Sequence, residues 1–170
     1  MMYKTCKSID YQSSEWQNYL AWRKMPFTSF ESADSSLNQF NFVPLENDDW
    51  KHIVTIENFL TDLVTDLDHA MWYAKKHDFD TLIELDFVEQ EDPQRNKLGY
   101  DILDGDYSYS LLTNFGNDIE IVNENLSRNA LVPDKNAALK VHEWFLENMP
   151  TDPHVQGSRI FTIYRKISVS

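Results

Sequence analysis

The sequence predicts an α+β fold: an antiparallel sheet of four to five strands, a central meander plus a C-terminal strand, with helices on one face. Three observations carry this. Apolar residues step by three and four over residues 53–74 and again over 138–149, the spacing of a buried helical stripe. Between these stretches, apolar and polar residues alternate around turn signals. Alternation returns from Arg159 to Val169. Strands clustered between helices and joined by short turns form one antiparallel sheet, not parallel β-α-β units.

The elements follow in chain order. Ser13 or Ser14 caps a short helix that presents Trp16, Tyr19, Leu20 and Arg23 and stops before Pro26. Residues 1–46 otherwise read as an irregular arm, fastened to the core by Phe27, Phe30, Leu37, Phe40, Phe42 and Val43. Asn47-Asp48-Asp49 are capping residues, and Ile53, Ile56, Leu60, Leu63, Leu67, Ala70 and Ala74 follow at helical spacing. The pattern predicts a helix over about 48–77, closed by Lys75, Lys76 and His77. At ~1.5 Å per residue it would run ~45 Å, long enough that a break near Asn58 is consistent with the pattern.

Ile83, Leu85 and Phe87 mark a strand, and residues 89–96 a loop containing Pro93. Tyr100 to Leu103 lead into Asp104-Gly105, which predicts a tight hairpin because glycine accepts positive φ. The expected return strand is Tyr107 to Phe115; after Gly116-Asn117-Asp118, Ile119 to Val122 forms a further strand. Residues 123–129 have room for one helical turn. Pro133-Asp134 starts a helix with Ala138, Val141, Phe145 and Met149 on one face, widened by Trp144 and ended by Pro150. Arg159 to Val169 is the last strand. No linker, repeat or low-complexity tract divides residues 1–170, so a single domain is expected, with 47–170 as its core.

Composition narrows the function. The 42% apolar content, with 10 Phe, 8 Tyr and 5 Trp, suits a folded domain, not an acidic tail. Cys6 is alone, so no internal disulfide is expected. Met1 to Asp10 hold no apolar run and no stretch approaches ~20 apolar residues, so neither a signal peptide nor a membrane span is expected, and a cytoplasmic location is. The histidines form no H-E-x-x-H zinc site, since residue 146 is Leu; Asp66 and His69 make one D-x-x-H unit without a second. There is no G-x-S-x-G elbow, P-loop or G-x-G-x-x-G. No catalytic, cofactor or metal residue is therefore assigned.

The charge is the informative feature. Eleven acids between Glu84 and Glu124 face only Arg95 and Lys97, a balance of −9 out of −13 for the chain. Such a field attracts a basic protein and repels nucleic acid. Tyr100, Asp101, Asp104, Asp106, Tyr107, Tyr109, Asp118 and Glu120 form the candidate partner-binding rim, with Asp62, Asp66 and His69 as a second candidate face. The same acids also serve turns and protect sheet edges.

The stretch YDILDGDYSYSLLTNFG (100–116), followed by the terminal RIFTIYRK (159–166), resembles in character the immunity proteins of bacterial polymorphic-toxin and contact-dependent growth-inhibition systems. The resemblance implies a cytoplasmic inhibitor that binds a basic toxin domain, such as a nuclease, one to one and covers its active site. Two other readings stay open. One is a small-molecule-binding domain or small hydrolase with a site on an open sheet face, lined by Tyr107, Tyr109, His69 and Asp101. The other is an accessory subunit of a larger assembly.

Overall fold

The computed structural model describes residues 1–35, 53–56, 59–115 and 118–170, with the side chains of 53–56 and 59–62 excepted. Leu37, Phe40, Phe42, Val43, the Asn47-Asp48-Asp49 cap, the Asn58 break, the Gly116-Asn117 turn and the Asp62 side chain lie outside what is described. The class is the predicted one. Strands β1 (Met2–Cys6), β2 (Ile53–Ile56), β3 (Phe59–Val64), β4 (Thr81–Phe87), β5 (Gly99–Leu103) and β6 (Arg159–Ser168) pair antiparallel in the order β2-β3-β1-β4-β6-β5. Helices α1 (Ser14–Arg23), α2 (Leu67–Lys76), α3 (Leu111–Asn114), α4 (Glu120–Asn125) and α5 (Lys135–Asn148) complete it.

Several elements form as their sequences dictate. Ser13 caps α1 by accepting from the Trp16 amide, and Asp134 caps α5 by accepting from Ala137. Ala138, Val141 and Phe145 are the buried stripe of α5. Phe27 and Phe30 are fully enclosed, so the N-terminal arm is fastened to the core by aromatics.

Four expectations are overturned, the first being the irregular arm over 1–46 outside the core: it begins with β1, a buried strand paired on both edges. The helix over 48–77 is instead a β2–β3 hairpin followed by α2, whose N-cap is Asp66. All four residues of the run Ile53-Val54-Thr55-Ile56 are β-branched and favour an extended backbone. β1 also needs a partner on its outer edge, and β3 supplies it through Tyr3↔Val64 and Lys4↔Leu63. The return strand 107–115 is reduced to one bridge, Leu103↔Ser110, followed by α3. Asp104 closes that loop onto itself, its carboxylate accepting from the Ser108 and Tyr109 amides and its own amide donating to the Tyr109 carbonyl. Positive φ falls on Tyr107 (58°), not on Gly105. Gly105 is required for another reason: a Cβ there would lie 2.8 Å from the Gln156 carbonyl oxygen. Finally, the strand expected at Ile119 to Val122 is α4, which buries Val122.

Paired residues across an antiparallel ladder share a face. One face carries Tyr3, Val64 and Leu82, packed against Ala70, Tyr73 and Ala74 of α2, and farther along Tyr100, Ile102 and Ile160, packed with α5. The other carries Met2, Cys6, Ile83, Leu85, Leu103, Phe161 and Ile163. Among the described residues no helix covers that face at its centre; Ala33, Tyr107 and Leu131, from irregular segments, do.

The loop after β4 is held by carboxylates. Glu84, buried in the sheet, accepts from Arg95 and Arg165 at 2.8 Å each. Glu91 receives the Tyr100 hydroxyl at 2.6 Å, Lys97 at 2.9 Å and Lys135 at 3.1 Å. Burial opposes ionisation of Glu91, but these three donors outweigh it and hold the carboxyl at about 2, against an ordinary 4.5. A depressed carboxyl stabilises the fold above its ordinary value, and that contribution disappears as pH falls toward about 2. Glu91→Gln is expected to lower stability at pH 7 by about 2 kcal/mol, after allowance for solvent at the two lysines. Denaturant melts across the acid range check it: wild type loses this increment between 4.5 and about 2, and the variant has none to lose.

Candidate partner-binding surface

The eight rim residues divide by burial. Tyr100, Asp101, Asp104 and Tyr107 are interior. Asp101 is 0% exposed and is ringed by donors: Ser32 Oγ at 2.6 Å, the Ala33 amide at 2.9 Å, Ser110 Oγ at 2.5 Å and its own neighbour's amide, Ile102, at 2.9 Å. Asp34, also buried, accepts from the Ser110 amide at 2.7 Å and from Asn114 Nδ2. Lys4 is 1% exposed, and its ammonium donates to the Ala33 carbonyl and, at 2.9 Å, to the Tyr107 carbonyl. Tyr107 packs edge-on to Phe87 and Phe161. These groups build the 104–110 loop and stitch the 30–35 arm to the sheet, so their surfaces are not offered to a partner.

Asp106, Asp118 and Glu120 are exposed, and Tyr109 is 43% exposed. Around them the fold assembles residues that the sequence reading passed over. His154 Nδ1 lies 3.2 Å from Asp104 Oδ2, with its ring between those of Tyr109 (6.2 Å) and Phe115 (5.7 Å). Phe115 meets Phe145, which meets Trp144. Trp144 lines a cleft with Asp118, Ile119, Glu120, Ile121 and Glu124.

A pattern in the sequence accounts for the field here. Residues 98–127 contain no Lys or Arg, and neither do residues 141–158. Packing of α4 on α5, the His154–Asp104 contact and the close approach of Gly105 to Gln156 set these two windows side by side. The exposed acids of the joined surface are Asp106, Asp118, Glu120, Glu124, Glu143 and Glu147. Arg23, donating to the Thr113 carbonyl, and Lys140 on α5 mark its borders.

The second candidate face is partly structural. Asp66 accepts from the His69 amide at 2.7 Å as the cap of α2, and the His69 ring lies 5.2 Å from that of Trp72.

Along β1 and β5 no open sheet face is left for a small-molecule site, since both strands are buried along their whole length. Of the residues named for it, Asp101 and Tyr107 are interior. Cys6 is buried and its thiol is pushed by that burial up to about 12, far from a reactive thiolate at neutral pH. Among the described residues no three His, Cys, Asp or Glu side chains converge as metal ligands, and no helix is long and apolar enough to cross a membrane. Comparison of the chain with family models, curated proteins and solved structures gave no match.

Proposed function

We propose that the protein is an acidic inhibitor that binds a basic protein, in the manner of the immunity proteins its sequence resembles, through the surface formed by α4, the exposed side of α5, residues 104–115 and Asp118. The observation that carries this reading is the adjacency of two windows without Lys or Arg, which together carry six exposed carboxylates and the rings of Tyr109, Phe115, His154 and Trp144. Carboxylates at that density raise the encounter rate with a basic surface, and half-buried aromatics supply the contact area that slows release. A nuclease toxin fits the chemistry: its active site is basic because it binds a polyanion, and carboxylates can stand where phosphates would lie. Binding of one partner to one chain needs roughly 800 Å² from each side.

The test is capture of partners from the native host on the immobilised chain, at low and high salt, beside a variant with Asp106, Asp118, Glu120, Glu124, Glu143 and Glu147 changed to Asn or Gln. All six are exposed, so the fold is expected to persist. Wild type should retain a basic protein whose association slows with salt, and the variant should associate at least ~10-fold more slowly at low salt. Equal retention by both, or retention of no basic protein, would reject the reading.

A further inference from the structure

The acidic surface has a cleft where α4 meets α5. Ile119, Ile121 and Trp144 are half-buried there, and Asp118, Glu120 and Glu124 stand exposed around them. Among the described residues the lining combines apolar and anionic groups and holds no Lys, Arg or His. Ile119 and Ile121 pack against the main core, as does Trp144, so the apolar part is held from beneath and does not have to be organised on binding.

We infer that this cleft is the docking groove for a basic segment carrying at least one large apolar side chain, which enters between Ile121 and Trp144 while neighbouring Lys or Arg residues meet Asp118, Glu120 and Glu124. The inference rests on the basic-partner reading and adds the form of the recognised segment. Charge selects the occupant. An acidic or neutral apolar segment would bring no counter-charge to the three carboxylates, and a second copy of this chain would bring the same acidic face. A lysine tract without apolar residues would satisfy the carboxylates but leave the isoleucines and the indole wet, forfeiting the burial that slows dissociation. An amphipathic basic helix meets both demands, with anchors spaced along one face.

The experiment uses three fluorescein-labelled peptides of equal length: one of Lys and Leu with Leu at helical spacing, one with the same Lys positions and Ser for Leu, and one of Glu and Leu. Anisotropy titrations at moderate salt are expected to rank Lys/Leu at least about tenfold tighter than Lys/Ser, with Glu/Leu unbound. Trp144→Ala should abolish the tenfold advantage. Should that variant fail to fold, Glu124→Lys at an exposed position serves instead and should weaken Lys/Leu binding about fivefold or more. Equal binding of the two lysine peptides, an advantage that survives folded Trp144→Ala, or Lys/Leu binding undiminished by Glu124→Lys overturns the groove. Those results leave the basic-partner reading standing if host capture still depends on the six carboxylates. Loss of that dependence rejects both.

Discussion

Asp101→Ala is expected to cost about 4 kcal/mol, a large share of the roughly 5–15 kcal/mol that holds an ordinary domain folded. The carboxylate is wholly enclosed and serves donors from three separate segments: Ser32 and Ala33 in the arm, Ser110 ahead of α3, and the Ile102 amide in β5 itself. Alanine removes the acceptor and leaves the donors. The two serine hydroxyls can turn to seek other acceptors. The buried Ala33 amide cannot, and an orphaned buried donor costs about 1–3 kcal/mol alone. Asp101→Asn keeps the shape and one acceptor oxygen, so its expected cost is about 2 kcal/mol.

The pH dependence separates the two roles of this group. Burial pushes the Asp101 carboxyl above its ordinary value, against the pull of its donors. A raised carboxyl stabilises the fold below the ordinary value, and that contribution is lost as pH rises through the raised one. Wild type therefore gains on Asp101→Asn as pH is lowered, so the deficit of the asparagine variant should widen toward acid. Urea melts of the wild type and both variants at pH 7 and about pH 5 check the order and the trend.

Much of the frame was legible in local signals. Asp134, the 138/141/145 stripe and Pro150 describe α5, and alternation describes β4 and β6. What failed, failed for physical reasons. Ile53, Ile56, Leu60 and Leu63 step by three and four, yet β-branching and the empty edge of β1 make residues 53–64 a hairpin. The apolar period saw one of these demands; only the sheet order expresses the other. At 107–115 the clue against a strand was Leu111-Leu112, adjacent and both buried, which an alternating one-sided strand does not accommodate. Asp104-Gly105 was a true punctuation mark with the wrong cause, since the glycine answers to Gln156, about fifty positions downstream.

The candidate surface shows the same division. Net charge is a property of composition, so the acidity of 84–124 was readable. Which acids face solvent depends on where donors sit, and the partners of Asp101 and Asp34 lie up to about eighty residues away. The stronger signal, two windows without Lys or Arg, was present in the sequence but gains meaning only when α4 and α5 are adjacent.

Lys4→Met is expected to cost about 3 kcal/mol and, with every exposed acid intact, to weaken binding at the 104–110 loop. Methionine preserves the apolar stem within β1 but leaves the Ala33 and Tyr107 carbonyls without the ammonium that joins them. Tyr107 holds positive φ at the turn that presents Asp106 and Tyr109, so a released Tyr107 carbonyl frees the loop that carries two of the exposed rim residues. Lys4 and Asp101 also grip the same residue from opposite sides, one through the Ala33 carbonyl and the other through its amide. Once either grip is gone the arm is partly released, and the second loss costs less. The double variant should therefore fall short of the sum of the singles by about 1 kcal/mol or more in a denaturation cycle. Additive losses would mean that the arm and the loop are held independently. A sub-additive cycle together with weakened partner binding would mean that one buried lysine, remote from the acidic surface in sequence, sets the shape in which that surface meets its partner.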